Sequence, residues 1–142
     1  MNTRTGWIIV AVLTLAIVIL AIALVLIPAP GESSPFVSGD VKVSAPLPNA
    51  AVSRAFAVSG EARGNWFFEA SFPVEVRDPS GTVVGHGIAQ AGGEWMTTEF
   101  VPFAATVTVA DYSGPATLVL VKDNPSGLPE HDDSVEFPIL VQ

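Results

Sequence analysis

Between Asp123 and Asp133 the chain reads DNPSGLPEHDD, which holds Asp123, Glu130, Asp132, Asp133 and His131 without a lysine or arginine. Hard cations such as calcium collect about six to eight oxygen ligands from one place, and a run of this composition offers carboxylates for that purpose. The helix-loop-helix calcium pattern fails, because Pro125 and Gly127 fill the third and fifth positions, where side-chain oxygens belong. Asp132 and Asp133, with Asp123 across the mouth of the loop, remain candidates for a looser calcium site. The same residues also suit a plain loop. Asn124-Pro125-Ser126-Gly127 matches a type I turn, with Asn first, Pro second and Gly fourth.

Catalytic chemistry finds few residues. His86 and His131 are the only imidazoles, and there is no cysteine. No serine has glycine two places before and two after it, so the nucleophile elbow is missing. Gly85-His86-Gly87 lacks the third glycine of a phosphate-cradling loop, and no HExxH zinc motif occurs. Zinc and copper sites need more His or Cys than the chain holds. The expectation is a protein that is not an enzyme, with no cofactor and no catalytic residue.

The elements that must carry these residues begin with WIIVAVLTLAIVILAIALVLI, residues 7–27, where Thr14 is the only polar side chain. Twenty-one residues at about 1.5 Å each span the roughly 30 Å hydrocarbon core of a bilayer. The run exceeds the about 7–15 apolar residues of a cleaved signal, and its one small-x-small triplet, Ala21-Ile22-Ala23, lies inside the apolar block. A retained signal-anchor is therefore expected, with the lipid bilayer as its partner. Arg4 precedes the run and no further cation follows until Lys42. That asymmetry places residues 1–6 in the cytoplasm and residues 28–142 outside the cell membrane. All 14 Asp and Glu follow residue 27, against five of the six Lys and Arg, which leaves the exported part at −9. Such a surface repels phosphate backbones, so no nucleic-acid partner is expected.

Residues 28–39, rich in Pro, Gly and Ser, read as a linker. From residue 40 to 142 no helical period occurs. In WFFEASFPVEVRD the even positions Trp66, Phe68, Ala70, Phe72, Val74 and Val76 are apolar, as a strand covering a core on one face requires. Pro73 on the opposite set marks an edge or a bulge. Val135, Phe137, Ile139 and Val141 alternate in the same way, residues 105–110 likewise, and residues 117–121 are apolar on both parities. Shorter strand candidates are 40–45, 54–60, 82–89 and 94–101. About seven or eight short strands in a hundred residues predict an all-β, immunoglobulin-like antiparallel β-sandwich, with no disulfide to hold it. Trp66 and Trp95 are the natural central packing residues. Phe67 falls on the polar parity of its strand, which predicts an exposed ring.

GEARGNWFFEASFPVEVRDPSG, AQAGGEWMTTEFVPF and LVLVKDNPSGLPEHDDSVEFPI together resemble the immunoglobulin-like domain of bacterial spore-germination proteins, the module associated with GerM-type domains. The similarity covers residues 40–142, here behind an anchor and a linker and without a companion domain. It implies a β-sandwich in a bacterial envelope protein and supplies no catalytic residue. Its motif residues are Trp66, Phe67, Glu69, Trp95, Thr97, Asn124, Ser126, Gly127, His131 and Asp132. The reading that follows is a membrane-anchored, extracytoplasmic module for non-catalytic binding or scaffolding. Its partner would be an envelope protein or the peptidoglycan of the wall, met through Phe67, Tyr112, Asn124 or His131. The alternative is a calcium-dependent adhesive or sensory module using the 123–133 loop.

Overall fold

The computed structural model describes residues 3–26 and 33–142, and within the first stretch the side chains of residues 6–22. Thr3–Leu26 forms one α-helix, α1, in a segment that contains no proline. Every described side chain from Trp7 to Ile22 is exposed. The part of α1 described with its side chains, residues 6–22, is 17 residues long, and among the described residues no helix is long and apolar enough to cross a membrane. Residues 1–2 and 27–32 lie outside the described residues, including part of the expected cytoplasmic stretch, the end of the expected span and the first half of the expected linker. Ser34–Gln142 forms the second compact unit.

Nine strands build that unit: β1 (Phe36–Ser38), β2 (Val41–Ala45), β3 (Ala51–Val52), β4 (Ala55–Arg63), β5 (Ser71–Arg77), β6 (Val83–Ala91), β7 (Phe100–Val109), β8 (Gly114–Val121) and β9 (Ser134–Val141). They form one hydrogen-bonded sheet in the order β1-β2-β4-β7-β6-β5-β8-β9-β3. All neighbours are antiparallel except β3, which runs parallel to β9 through Ala51–Leu140 and Val52–Val141. The order contains the two layers of an immunoglobulin-like sandwich, β2-β4-β7-β6 and β5-β8-β9. The β5–β6 hairpin, paired from Ser71–Gln90 to Arg77–Val83, joins them into a single curled sheet. Antiparallel neighbours and an immunoglobulin-like all-β domain were expected; the single curled sheet of nine strands and the two short strands β1 and β3 were not.

Alternation fixes what lies inside. Phe72, Val74 and Val76 of β5 are fully buried, as are Val41, Val43, Val58, Val107, Leu118 and Leu120. Burying each such side chain contributes about 1.5–3 kcal/mol relative to leaving it exposed. The Phe72 ring meets Phe103 edge-on at 5.0 Å and Trp66 at 5.8 Å. Trp66 is core, as its size predicts, whereas Trp95 is half-buried and packs against the core from its rim. Val119 is 1% exposed although it points away from that core. It lies in register between Glu75 of β5 and Glu136 of β9, whose side chains flank it. That accounts for the apolar run on both parities of β8.

The compact unit also takes in residues 34–39, where Phe36–Ser38 pairs with β2 as β1. Three sequence expectations are corrected. The stretch from Trp66 to Val76 is not one strand: Gly64–Trp66 is a 3-10 turn, and Glu69 and Ala70 form a reversal. Phe68 and Ser71 exchange both backbone hydrogen bonds across that reversal, at 3.0 and 3.1 Å. The irregularity shifts the parity, so Phe67 turns inward and is 4% exposed, its ring 5.1 Å from Phe72. Phe67 is therefore a core residue and not part of a binding face. Residues 94–99 form bends, and the strand there starts only at Phe100. Pro73 behaves as an edge residue at its own position, since the ladder from β5 to β8 begins at Val74.

Candidate functional site

Strand pairing brings four connections to one end of the unit. Val41 pairs with Ala62, Gln90 with Ser71, Ala91 with Phe103, and Val121 with Ser134. The turn before β2, the segment 64–70, the loop 92–99 and the loop 122–133 therefore meet there. The 3-10 turn Gly64–Trp66 ties them together. Arg63 N donates to Asp40 O at 2.9 Å, Gly64 N to Glu99 O at 3.2 Å, and Asp123 N to Trp66 O at 3.1 Å. Gly64 sits so close to the 92–99 loop that a Cβ there would lie 2.0 Å from Thr97 O and 2.3 Å from Trp95 O. Only glycine permits that approach.

Every motif residue that carries the family resemblance falls in these connections. The 122–133 loop has an internal network centred on Asn124. Its Nδ2 donates to Leu128 O at 2.8 Å and to Asp132 Oδ1 at 2.7 Å, while its Oδ1 accepts from Ser126 Oγ at 2.5 Å. Gly127 N donates to Asn124 O at 3.2 Å, closing the expected turn. Asp133 Oδ1 accepts from Ser134 N at 2.8 Å, and Asp133 O accepts from Lys122 N at 2.9 Å.

The three expected calcium ligands, Asp123, Asp132 and Asp133, all belong to this loop. Among the described residues no group of three or more His, Cys, Asp or Glu side chains comes together that would hold a metal ion. Asp132 Oδ1 is engaged by Asn124 and Asp133 Oδ1 by the backbone N of Ser134. The loop's polar content is spent on shaping the loop. His131 is exposed in a 3-10 turn, Pro129–His131, at this end.

The remaining candidates lie elsewhere. Tyr112 precedes β8, whose first residue pairs with Val141, so it belongs to the opposite end. It is half-buried, and its hydroxyl donates to Pro115 O. Of the expected face, only Asn124 and His131 stand together at the surface. His86 is exposed on β6, across from Glu75, while Arg77 holds Glu75 Oε2 through Nε at 2.9 Å and Nη2 at 2.7 Å. Gly87 is explained by packing, since a Cβ there would lie 2.4 Å from Thr106 O.

A surface cleft of about 220 Å³ at the loop end is lined by Asp40, Arg63, Asn65 and Thr98. None of the four stands out in the sequence, because they come from three separate connections and share no spacing. Arg63 Nη1 donates to Thr98 O at 3.1 Å, its Nε stands 3.9 Å from Asp40 Oδ1, and its guanidinium lies 4.0 Å from the Phe100 ring centre. Lys42 Nζ lies 3.8 Å from the same ring centre and 3.3 Å from Glu61 Oε2. Three large apolar side chains of these loops are exposed: Phe68, Met96 and Leu128.

No curated protein and no solved structure matches the chain. A family model does, over residues 40–127, from the turn before β2 through the first half of the β8–β9 loop. Its span covers more than half of the chain and stops short of β9, which the sheet needs for closure. With this match and the curled nine-stranded sheet, the chain belongs to the family described as the immunoglobulin-like domain of bacterial spore germination.

Proposed function

We propose that the chain is a non-catalytic binding module of the cell envelope, anchored by its N-terminal helix and presenting the loop end of the β unit outside the membrane. One observation carries the reading: the connections holding all the family motif residues converge on Gly64–Trp66 and are fixed there by backbone hydrogen bonds. A framework of strands carrying its loops at one end is a common arrangement for recognition. Anchoring is supported by the apolar sequence of residues 7–27, by the exposure of the described α1 side chains, and by the positive Arg4 ahead of them. The non-catalytic part is supported by the separation of His86, on β6, from His131, in the β8–β9 loop.

Photo-crosslinking in native membranes tests it. A benzophenone amino acid at Met96 or Leu128 is expected to give a discrete adduct, while the same group at Ser53, at the other end, gives none. Equal labelling from both ends would refute the loop-end assignment. Alkaline carbonate washing tests the anchor: the chain is expected to stay with the membrane pellet, and its release would remove the span.

A further inference from the structure

We propose that the cleft formed by Asp40, Arg63, Asn65 and Thr98 binds one uncharged sugar unit through a pair of adjacent hydroxyls. The proposal deepens the binding-module reading and depends on it. The walls are fixed in advance. Arg63 is held at its backbone by Asp40 O, at its guanidinium by Thr98 O, and over the face of Phe100. Asn65 lies within the Gly64–Trp66 turn, which is itself bound to Glu99 and Asp123. Preorganised polar groups of this kind lower the ordering cost of binding.

The polar groups of the cleft are under-used by the protein. Arg63 Nε and Asp40 Oδ1 stand 3.9 Å apart, too far for a direct hydrogen bond, so each keeps capacity toward the cleft. Among the described residues neither the Asn65 carboxamide nor the Thr98 hydroxyl makes a hydrogen bond through its side chain. A carboxylate that only accepts, a guanidinium that only donates, and an amide and a hydroxyl that do both form a complementary set for vicinal hydroxyls. One hydroxyl donates to Asp40 while its neighbour accepts from Arg63.

Charge and size narrow the ligand. Asp40 and Arg63 cancel, and nearby Lys42 is paired with Glu61. The cleft is therefore close to neutral inside an acidic unit, which favours neither an anion nor a cation. About 220 Å³ falls below the roughly 300 Å³ at which drug-sized pockets begin, so one ring fits and any longer chain projects into solvent. Arg63 and Lys42 both lie over the Phe100 ring, so recognition rests on the polar groups of the cleft.

The test uses the full-length, 15N-labelled chain in lipid nanodiscs, which avoids sugar-headed detergents. Glucose, N-acetylglucosamine and soluble peptidoglycan glycan strands are titrated, with acetate and methylammonium as charged probes. The Asn65 side-chain amide and the Arg63 Nε–H signals are expected to shift saturably with at least one sugar, and not with the charged probes. Asp40→Ala and Asn65→Ala are each expected to weaken that binding about tenfold or more. Asn65→Ala removes no protein hydrogen bond, so an unchanged melting curve will accompany its loss of binding. Within a glycan strand only the terminal N-acetylglucosamine keeps two adjacent free hydroxyls, O3 and O4. Strands acting at much lower concentration of such ends than free N-acetylglucosamine therefore identify the wall as the source, and equal action per end identifies free sugar. Absence of a saturable shift up to about 100 mM of any sugar, or saturation by acetate instead, overturns the proposal. Sugar failure with loop-end crosslinks intact leaves the binding-module reading standing; failure of both removes the two together.

Discussion

Phe36 of β1 and Phe137 of β9 pack ring against ring with their centres 5.0 Å apart, although the two strands share no hydrogen bonds. Their strands lie at or near opposite ends of the sheet order, so this contact closes the curl with side chains where backbone pairing is missing. A sheet closed in this way depends on the short first strand. Phe36→Ala is expected to cost about 2 kcal/mol, less than the 3–5 kcal/mol typical of a fully buried Phe because Phe36 is half-buried. Urea denaturation followed by tryptophan fluorescence measures it. A loss below about 0.5 kcal/mol, the level of an ordinary surface change, would return residues 34–39 to the status of linker.

The loop end rests on Gly64. Its substitution by Ala drives a Cβ to 2.0 Å from Thr97 O, which is backbone and has no flexible end to yield. The expected cost is about 3 kcal/mol, at the upper end of ordinary overpacking. Hydrogen exchange separates this from a general loss: amides of 92–99 and Asp123 are expected to lose protection first. Uniform loss across the sheet would contradict the role of Gly64 as a local tie.

Trp66 is 1% exposed, and its indole Nε1 is buried without a hydrogen-bond partner among the described residues. Trp66→Ala is expected to destabilise by about 3–5 kcal/mol through the cavity it leaves. Trp66→Phe removes the unpaired N–H as well as part of the ring, so its cost is expected to be under half of that. Denaturation midpoints of the two variants compare them directly; equal losses would mean that the indole N–H is satisfied after all.

Much of this fold is legible because burial on one face imposes a period of two. Phe72, Val74 and Val76, and again Val135 to Val141, alternate as the pattern requires, and the double-sided run in β8 follows from its place between β5 and β9. What escapes the sequence is short or non-local. Two residues of β3 carry no period, and their parallel pairing with β9 joins positions nearly ninety apart. The 3-10 turn at Gly64–Trp66 imitates the start of a strand, and it reverses the meaning of Phe67. The polar loop motifs are readable as turns, but the cleft is not, since Asp40, Arg63, Asn65 and Thr98 meet only after the sheet has formed.

Asp78 opens the β5–β6 turn, and its Oδ1 accepts from Ser80 Oγ at 2.6 Å and from the backbone N of Ser80 and Thr82, both at 2.9 Å. The Ser80 side-chain bond, first, and then the backbone bonds from Thr82, Ser80 and Gly81 hold its carboxyl below the ordinary 3.8, outweighing a smaller opposing effect of desolvation. A carboxyl whose pKa is lower folded than unfolded binds its proton more weakly in the native state. Its contribution to stability is present above pH 3.8 and is lost as pH falls through the folded value. Titration of the Asp78 carboxyl carbon by NMR is expected to show a midpoint below 3.8, moved upward in Ser80→Ala. An unchanged midpoint in that variant would assign the shift to the backbone donors alone.

The reversal at Glu69 and Ala70 places two side-chain-bearing residues at φ 49° and 63°. Left-handed backbone costs an ordinary L-residue about 1–2 kcal/mol, while Asn and Gly occupy it readily. Two-residue hairpins with both central residues at positive φ favour Asn-Gly for this reason. Replacing Glu69-Ala70 by Asn-Gly is expected to stabilise the unit by about 1 kcal/mol, after the added chain entropy of Gly is subtracted. The denaturation midpoint should rise while the cleft's sugar binding stays the same, because neither residue lines it. A fall in the midpoint would show that the Glu69 side chain, and not the local geometry, is what the loop end retains at that position.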